Sequence, residues 1–335
     1  MLPLLRTVVE IPEFKKKITY SSSLLFIGSC FSEEIGNKLE QYLFNIDLNP
    51  FGIIYNPASI AQSLQILIDK LSFSKNVIFK RGQLWLSFYH HSRFSSTSQE
   101  ELLKMINQRI EKAHYQLINA DFLFITFGTA WVYKLKETGQ VVANCHKLPQ
   151  KNFIRVMLSV DEIIQELTKI FDKLLYLNSK LNIILTVSPV RHWKDGAIGN
   201  QYSKASLLVA IHKLIDKYEN VKYFPSYEIV MDELRDYRFY SDDMLHIGTQ
   251  GVEYIWLRFK QTFFDETTEN TIKEVDKVIK ALHHRPHNKD TQEYRKFLDS
   301  TMEKIMLLRK YHPNIKIEHI QEYFTNQQKK YNSEN

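Results

Sequence analysis

The stretch Ser23-Leu24-Leu25-Phe26-Ile27-Gly28-Ser29-Cys30-Phe31 decides how this chain is read. Its first five residues make a continuous apolar run, the pattern of a strand buried on both faces of a parallel sheet, and the run stops at Gly28. From Phe31 to Leu43 the period changes, with Ile35, Leu39, Tyr42 and Leu43 on one helical face. Ser32 is the candidate N-cap, and Glu33 and Glu34 occupy the first turn, where the helix dipole favours acids.

The same unit recurs downstream. Phe122 to Phe127 is a second buried run and ends at Gly128. Asn182 to Val187 is a third, ending at Ser188-Pro189, and Val221 to Phe224 is a fourth. Helical stretches separate them, over Pro57 to Leu71, Gln99 to Leu117, Val160 to Leu177, Gln201 to Tyr218 and Gly251 to Phe263. Two-stranded excursions turn at Arg81-Gly82 and Thr138-Gly139. Strands alternating with helices imply an α/β fold with a parallel sheet covered on both faces. Sites in such sheets lie outside the carboxyl ends of the strands, here after Gly28, Gly128, Ser188 and Pro225.

From about Asp265 glycine disappears and helical periodicity takes over, through Ile272 to Leu282, Gln292 to Leu308 and Ile317 to Phe324. That segment carries 13 basic and 12 acidic residues, close to neutral. The division read from this change is an α/β domain over 1–262 and a helical extension over 263–335. The extension packs on the core or makes a partner contact, and polar Gln327 to Asn335 is read as a frayed end.

Composition removes several classes. Of 335 residues only ten are glycine, roughly 3% against about 7% in average usage, and neither glycine-rich phosphate-binding string occurs. The net charge of +6 is spread along the chain without a basic block, so no nucleic-acid partner is expected. Two cysteines, Cys30 and Cys145, make no disulfide framework, and neither their number nor their spacing supports a zinc site. No metal and no cofactor is expected. Met1 to Leu5 is apolar but short, Arg6 and Glu10 follow, and no signal peptide is read there. No apolar run approaches the roughly 20 residues that cross a bilayer. A cytoplasmic protein without a membrane partner is the expectation.

Chemistry enters at the strand ends. Ser29 follows the first strand at a helix start, a position suited to a nucleophile whose intermediate is an oxyanion, and equally to an N-cap. Cys30 is the alternative nucleophile, because helix N-termini lower thiol pKa values, or it is simply buried. Far along the chain, Asp243 and His246 form a D-x-x-H string. On a helical turn that spacing puts both side chains on one side, so the carboxylate can orient an imidazole that serves as base to a serine; the plain alternative is a turn with a surface histidine. His192, beside Arg191 at the third strand end, is a substrate contact, a rival base or a loop hydrogen-bonding group. His146 is read the same way, whereas His90-His91 and His283, His284 and His287 are read as solvated. Trp85, Trp131 and Trp193 either line the crevice or belong to the core.

Gly28-Ser29-Cys30-Phe31 resembles the signature of the GSCFA family, a bacterial branch of the SGNH (GDSL-like) hydrolase superfamily, with Ser32 where the family has alanine. Asn49-Pro50-Phe51-Gly52, Tyr55-Asn56-Pro57, Gly128-Thr129-Ala130-Trp131, Asn144-Cys145-His146-Lys147, Ser188-Pro189-Val190-Arg191-His192 and Asp236 to Tyr240 are similar to further family segments, in order. The resemblance implies a three-layer α/β/α fold with a central parallel sheet of about five strands. It also implies a triad of Ser29, His246 and Asp243. Superfamily oxyanion holes use the serine N–H, a glycine N–H after the second strand, for which Gly52 is the candidate, and an asparagine in G-x-N-D. Here that turn reads Gly128-Thr129-Ala130-Trp131 and lacks the asparagine; Thr129 and Asn144 are the candidate substitutes.

The function expected is therefore a serine esterase-like hydrolase of a short acyl ester, with O-acetyl carbohydrate as the substrate class by superfamily analogy. An O-acyltransferase using the same triad and a non-catalytic carbohydrate- or ligand-binding module are the alternatives. The helical extension is the candidate surface for a homo-oligomer.

Overall fold

In a computed structural model, residues 7–334 are described; the short apolar start of the chain, read above as no signal peptide, lies outside them. The elements are β1 (Ser23–Gly28), α1 (Cys30–Gln41), β2 (Asn45–Leu48), α2 (Pro57–Ile68), the hairpin β3 (Phe79–Arg81) and β4 (Leu84–Leu86), α3 (Gln99–Ile118), β5 (Phe122–Phe127), β6 (Trp131–Leu135), β7 (Val141–Val142), β8 (Phe153–Met157), α4 (Val160–Leu177), β9 (Asn182–Val187), α5 (Gly196–Lys217), β10 (Val221–Tyr223), α6 (Ser226–Glu228) and α7 (Thr249–Phe263). Three further helices follow, α8 (Glu266–His283), α9 (Gln292–Tyr311) and α10 (Glu318–Glu334).

Five strands form one parallel sheet in the order β10-β9-β5-β1-β2, flanked by helices. The α/β architecture read from the alternating runs is the one observed. The long apolar runs are its centre: Leu25 and Ile27 of β1, Leu123 and Ile125 of β5, and Ile183 and Leu185 of β9 enter one core with α2, α3, α4 and α5. The alternate residues are buried too, with Phe26 and Phe124 stacked 4.3 Å apart. Each such side chain contributes roughly 1.5–3 kcal/mol by leaving water, which is why these strands show no polar alternation. Local signals set the helix starts. Asn56 Oδ1 accepts the Ser59 N–H at 2.8 Å ahead of Pro57, and Ser159 and Glu162 form a reciprocal capping box on α4.

The register places the site. Gly28 pairs with Thr126 and Thr126 with Thr186, so β1, β5 and β9 end level. Gly28 sits where a Cβ would lie 2.5 Å from the Thr126 carbonyl oxygen, so no larger residue fits without moving backbone. The antiparallel sheet β7-β6-β8 departs from the second of these ends, at Trp131. Strands β2 and β8 were not anticipated from the sequence, because short, partly exposed runs such as Asn45 to Leu48 lack the apolar signature of the central strands.

By contacts the chain forms two compact units. One holds Ser23–Gly36 and Asp47–Ile255 with the N-terminal stretch up to Pro12; the other holds Glu13–Ser22, Asn37–Ile46 and Trp256–Asn335. The second unit has its own core. Phe14 lies 4.6 Å from Phe263 and Phe44 5.3 Å from Phe264, ring to ring. The Ile18 N–H donates to the Phe263 carbonyl at 2.8 Å, and Lys316 Nζ donates to Asn45 Oδ1 at 2.7 Å.

Three local readings are corrected. Helix α1 starts at Cys30, and Ser32 is a 1%-exposed helical residue whose N–H donates to the Ser29 carbonyl at 2.8 Å, so it is not the cap. His90 is fully buried between Phe51 and Phe73, with Nδ1 3.1 Å from Ser87 Oγ. Residues 327–334, read as frayed, continue helix α10; Asn335 lies outside the described residues. Among the described residues no helix is long and apolar enough to cross a membrane.

Candidate active site

The level strand ends put Ser29, Gly128 and Ser188 side by side, as backbone bonds fix. The Ser29 N–H donates to the Thr126 carbonyl at 3.2 Å and the Ser188 N–H to the Phe127 carbonyl at 2.8 Å. Ser29 is 3% exposed, and its Oγ has no hydrogen-bond partner among the described residues. Burial pushes the adjacent Cys30 thiol up from its ordinary pKa, against the lowering expected of a helix start, so the thiol stays protonated at neutral pH.

Asp243 and His246 meet. Their segment is a tight turn rather than a helical one, with Met244 in the left-handed region at φ 57°. Asp243 Oδ1 accepts the N–H groups of Leu245 and His246, both at 2.9 Å. Its Oδ2 lies 2.6 Å from His246 Nδ1. The His246 hydrogen bonds hold the Asp243 carboxyl down at about 2, so it is ionised at neutral pH and can only accept. The His246 proton therefore sits on Nδ1 in the neutral ring, and Nε2 is left as a base. His246 is exposed, and the structure makes no hydrogen bond between it and Ser29 Oγ. The turn is tied to the third strand end by the Arg191 N–H, which donates to the Leu245 carbonyl at 3.1 Å.

A cavity of about 460 Å³ opens beside Gly128. Thr129, Asn144 and His192 all line it, together with Tyr55, Trp131 and Arg155. A Cβ on Gly128 would lie 2.8 Å from His192 Nε2 and 3.0 Å from Tyr55 Cβ, so this glycine lets both rings close over the strand end. Burial pushes His192 down to about 3, and the ring is neutral at physiological pH. Thr129 Oγ1 lies 2.9 Å from Ser203 Oγ and accepts the Trp131 N–H at 3.2 Å. Asn144 Oδ1 accepts the His146 N–H at 2.7 Å, and His146 is a structural residue with Nε2 2.8 Å from the Ser87 carbonyl. The Gly52 N–H donates to the Asn49 carbonyl at 2.8 Å, and Gly52 needs its left-handed φ of 77°. Trp131 lines this cavity, and Trp193 lines a second of about 570 Å³ that includes Asp243. A larger one, about 930 Å³, lies along α2 and α4, away from every candidate residue.

Three residues at this end were not singled out from sequence. Tyr55 accepts the Gly128 N–H on its carbonyl at 2.7 Å. Lys204 is fully buried, donates to the Ser188 carbonyl at 2.6 Å, and is pushed down to about 7 by burial. Asn49 accepts the Gly28 N–H on Oδ1 at 2.8 Å. Asn49 and Tyr55 were visible as turn residues and as members of family-like segments but with no role assigned, and Lys204 sits in a helix whose sequence marks no charged inner face.

Among solved structures the chain is similar to one described as a candidate platelet activating factor from Streptococcus pneumonia, at 14% identity over 72% of this chain and 84% of that one, TM-score 0.36. It is also similar to a Clostridium thermocellum family 3 carbohydrate esterase, at 10% identity over 78% of this chain and 99% of that one, TM-score 0.35. No curated protein sequence matches it. Residues 275–330 match the model of the GSCFA domain protein, C-terminal domain. Residues 23–259, from the first strand through the D-x-x-H turn, match the GSCFA family model, and the chain belongs to the GSCFA family.

Proposed function

We propose that this chain is a serine hydrolase of the SGNH (GDSL-like) type that cleaves a short-chain acyl ester, with an O-acetylated carbohydrate as the substrate class. Ser29 is the nucleophile, His246 the base and Asp243 the group that orients it. The observation that carries the reading is the Asp243–His246 pair, whose 2.6 Å bond leaves Nε2 as acceptor on a turn tied to the strand ends. In the proposed reaction Ser29 Oγ bonds to the ester carbonyl carbon, its proton passes to His246 Nε2, and the carbonyl electron pair moves onto oxygen. Collapse breaks the bond to the alcohol, which takes the proton from His246; water then repeats the cycle on the acyl-serine. Catalytic hydrogen bonds are often long in free enzymes and tighten with substrate, so exposed His246 closes on Ser29 as the acyl group enters. The aromatic walls of the Gly128 cavity, Tyr55, Trp131 and Tyr133, suit a sugar ring. The same cavity has room for an acceptor hydroxyl, which supports an acyltransferase as the second reading.

The proposal also includes a cytoplasmic setting and a homo-oligomer contact through residues 263–335, tested by fractionation and by solution mass. The test of the chemistry is p-nitrophenyl acetate hydrolysis and fluorophosphonate labelling by the wild type and Ser29→Ala. Loss of both in the variant is expected. Equal rates in the two would remove Ser29 as nucleophile, and a folded wild type left unlabelled would favour the binding module. Products formed with and without sugar acceptors separate hydrolase from transferase.

A further inference from the structure

We propose that the side-chain amide of Asn49 is the oxyanion donor of this site. Its Nδ2 hydrogens receive the charge that develops on the carbonyl oxygen when Ser29 attacks; the inference rests on the hydrolase reading above.

Asn49 closes β2 and is anchored on every side. Its N–H donates to the Phe26 carbonyl at 2.8 Å. Its carbonyl accepts the Gly52 N–H at 2.8 Å and Arg93 Nη2 at 2.8 Å, and Arg93 is itself held by Glu33 of α1. The residue is 1% exposed and takes a left-handed φ of 44°. That conformation is uncommon outside glycine but well suited to asparagine.

The orientation of the amide is not ambiguous. The Gly28 N–H can only donate, so the side-chain atom 2.8 Å from it is Oδ1, and Nδ2 occupies the other branch. Nδ2 is buried without a hydrogen-bond partner among the described residues, and so is Ser29 Oγ, one residue beyond the peptide the amide holds. A buried amide with unpaired N–H groups is costly and calls for an explanation. An acyl oxygen bound between them supplies the missing acceptor, and the acyl carbon beside it supplies the target of Ser29.

Two of the other candidate donors, Gly52 and Thr129, are committed. The Gly52 N–H is spent on the Asn49 carbonyl itself. Thr129 Oγ1 is engaged by Ser203 and Trp131. The turn after β5, Gly128-Thr129-Ala130, carries no amide side chain. The Ser29 N–H is held at 3.2 Å by the Thr126 carbonyl, a long bond that can be shared with an incoming oxyanion. Asn49, directly after β2, thus offers the unpaired amide that the turn after β5 lacks.

Asn49→Asp keeps an oxygen for the Gly28 N–H and the side-chain shape while removing the donor hydrogens. Asn49→Ala removes both. The rates to compare are p-nitrophenyl acetate turnover and fluorophosphonate labelling of Ser29, with fold followed by circular dichroism and thermal unfolding. In the folded variants kcat is expected to fall about 10²–10³-fold, with KM within about threefold of wild type because the donor acts on the transition state. A general loss of structure would not give that split. Folded variants that turn over and label within about threefold of an active wild type overturn this inference alone. A set in which no variant folds makes Asn49 structural and overturns it as well. A wild type that neither hydrolyses nor labels overturns the hydrolase reading and this inference together.

Discussion

At the scale of single residues, protonation states are set by surroundings that the sequence does not display. Asp243 is exposed, yet its carboxyl is held at about 2 by the His246 N–H and ring. Whatever stability this contributes is present above the ordinary carboxylate range and is lost only as pH falls toward 2, so Asp243 stays ionised at neutral pH. His90 and His192 go the other way, each pushed down to about 3, chiefly by burial. Between about pH 6.5 and 3 the unfolded chain binds protons on these rings that the folded chain refuses, so stability falls as pH falls through that window. His90→Leu is expected to flatten this acid limb without touching the strand ends; urea unfolding at pH 7, 5.5 and 4 measures it. An acid limb as steep as that of wild type would show that His90 contributes nothing to it.

At the scale of elements, the site is a property of three strand ends kept level by the β1–β5–β9 register. The glycines at these ends work by absence. Gly128 lets His192 and Tyr55 approach to where its own Cβ would stand. Gly128→Ala is expected to cost about 1–3 kcal/mol in thermal or urea unfolding, as overpacking does, and to slow the proposed ester hydrolysis by displacing both rings. Unchanged stability and turnover would mean that the rings move aside freely. The Asp243 turn shows a different economy. A helical turn was the expected way to bring Asp243 and His246 together, and a left-handed Met244 does it instead, with the carboxylate capping two backbone N–H groups.

At the scale of the whole molecule, the C-terminal helices share a core with chain from near the N-terminus. Within their unit the Ile18 carbonyl accepts Thr268 Oγ1 at 3.2 Å, and Tyr20, Phe44 and Phe264 are buried alongside Ile272 and Val275. A chain ending at Phe264 is therefore expected to expose apolar side chains from residues 13–22 and 37–46, and to bind a hydrophobic dye and aggregate in gel filtration. A monodisperse truncated protein with wild-type unfolding behaviour would show that these residues need no helical partner.

The central strands, the long helices and the two hairpin turns were legible in the sequence because each is written in local terms: a continuous apolar run, a 3.6-residue period, a glycine at a turn. Ser29, Asp243 and His246 could be named as candidates for the same reason, since a strand-to-helix turn and a D-x-x-H string are local. The burial of His90, the engagement of Thr129 by Ser203, and the unpaired amide of Asn49 could not. Each depends on which groups distant in sequence arrive at one place, and a hydrogen bond is spent or left unmade only once they do. The tertiary structure therefore decided which polar groups near the strand ends are paired and which, Asn49 Nδ2 among them, are not.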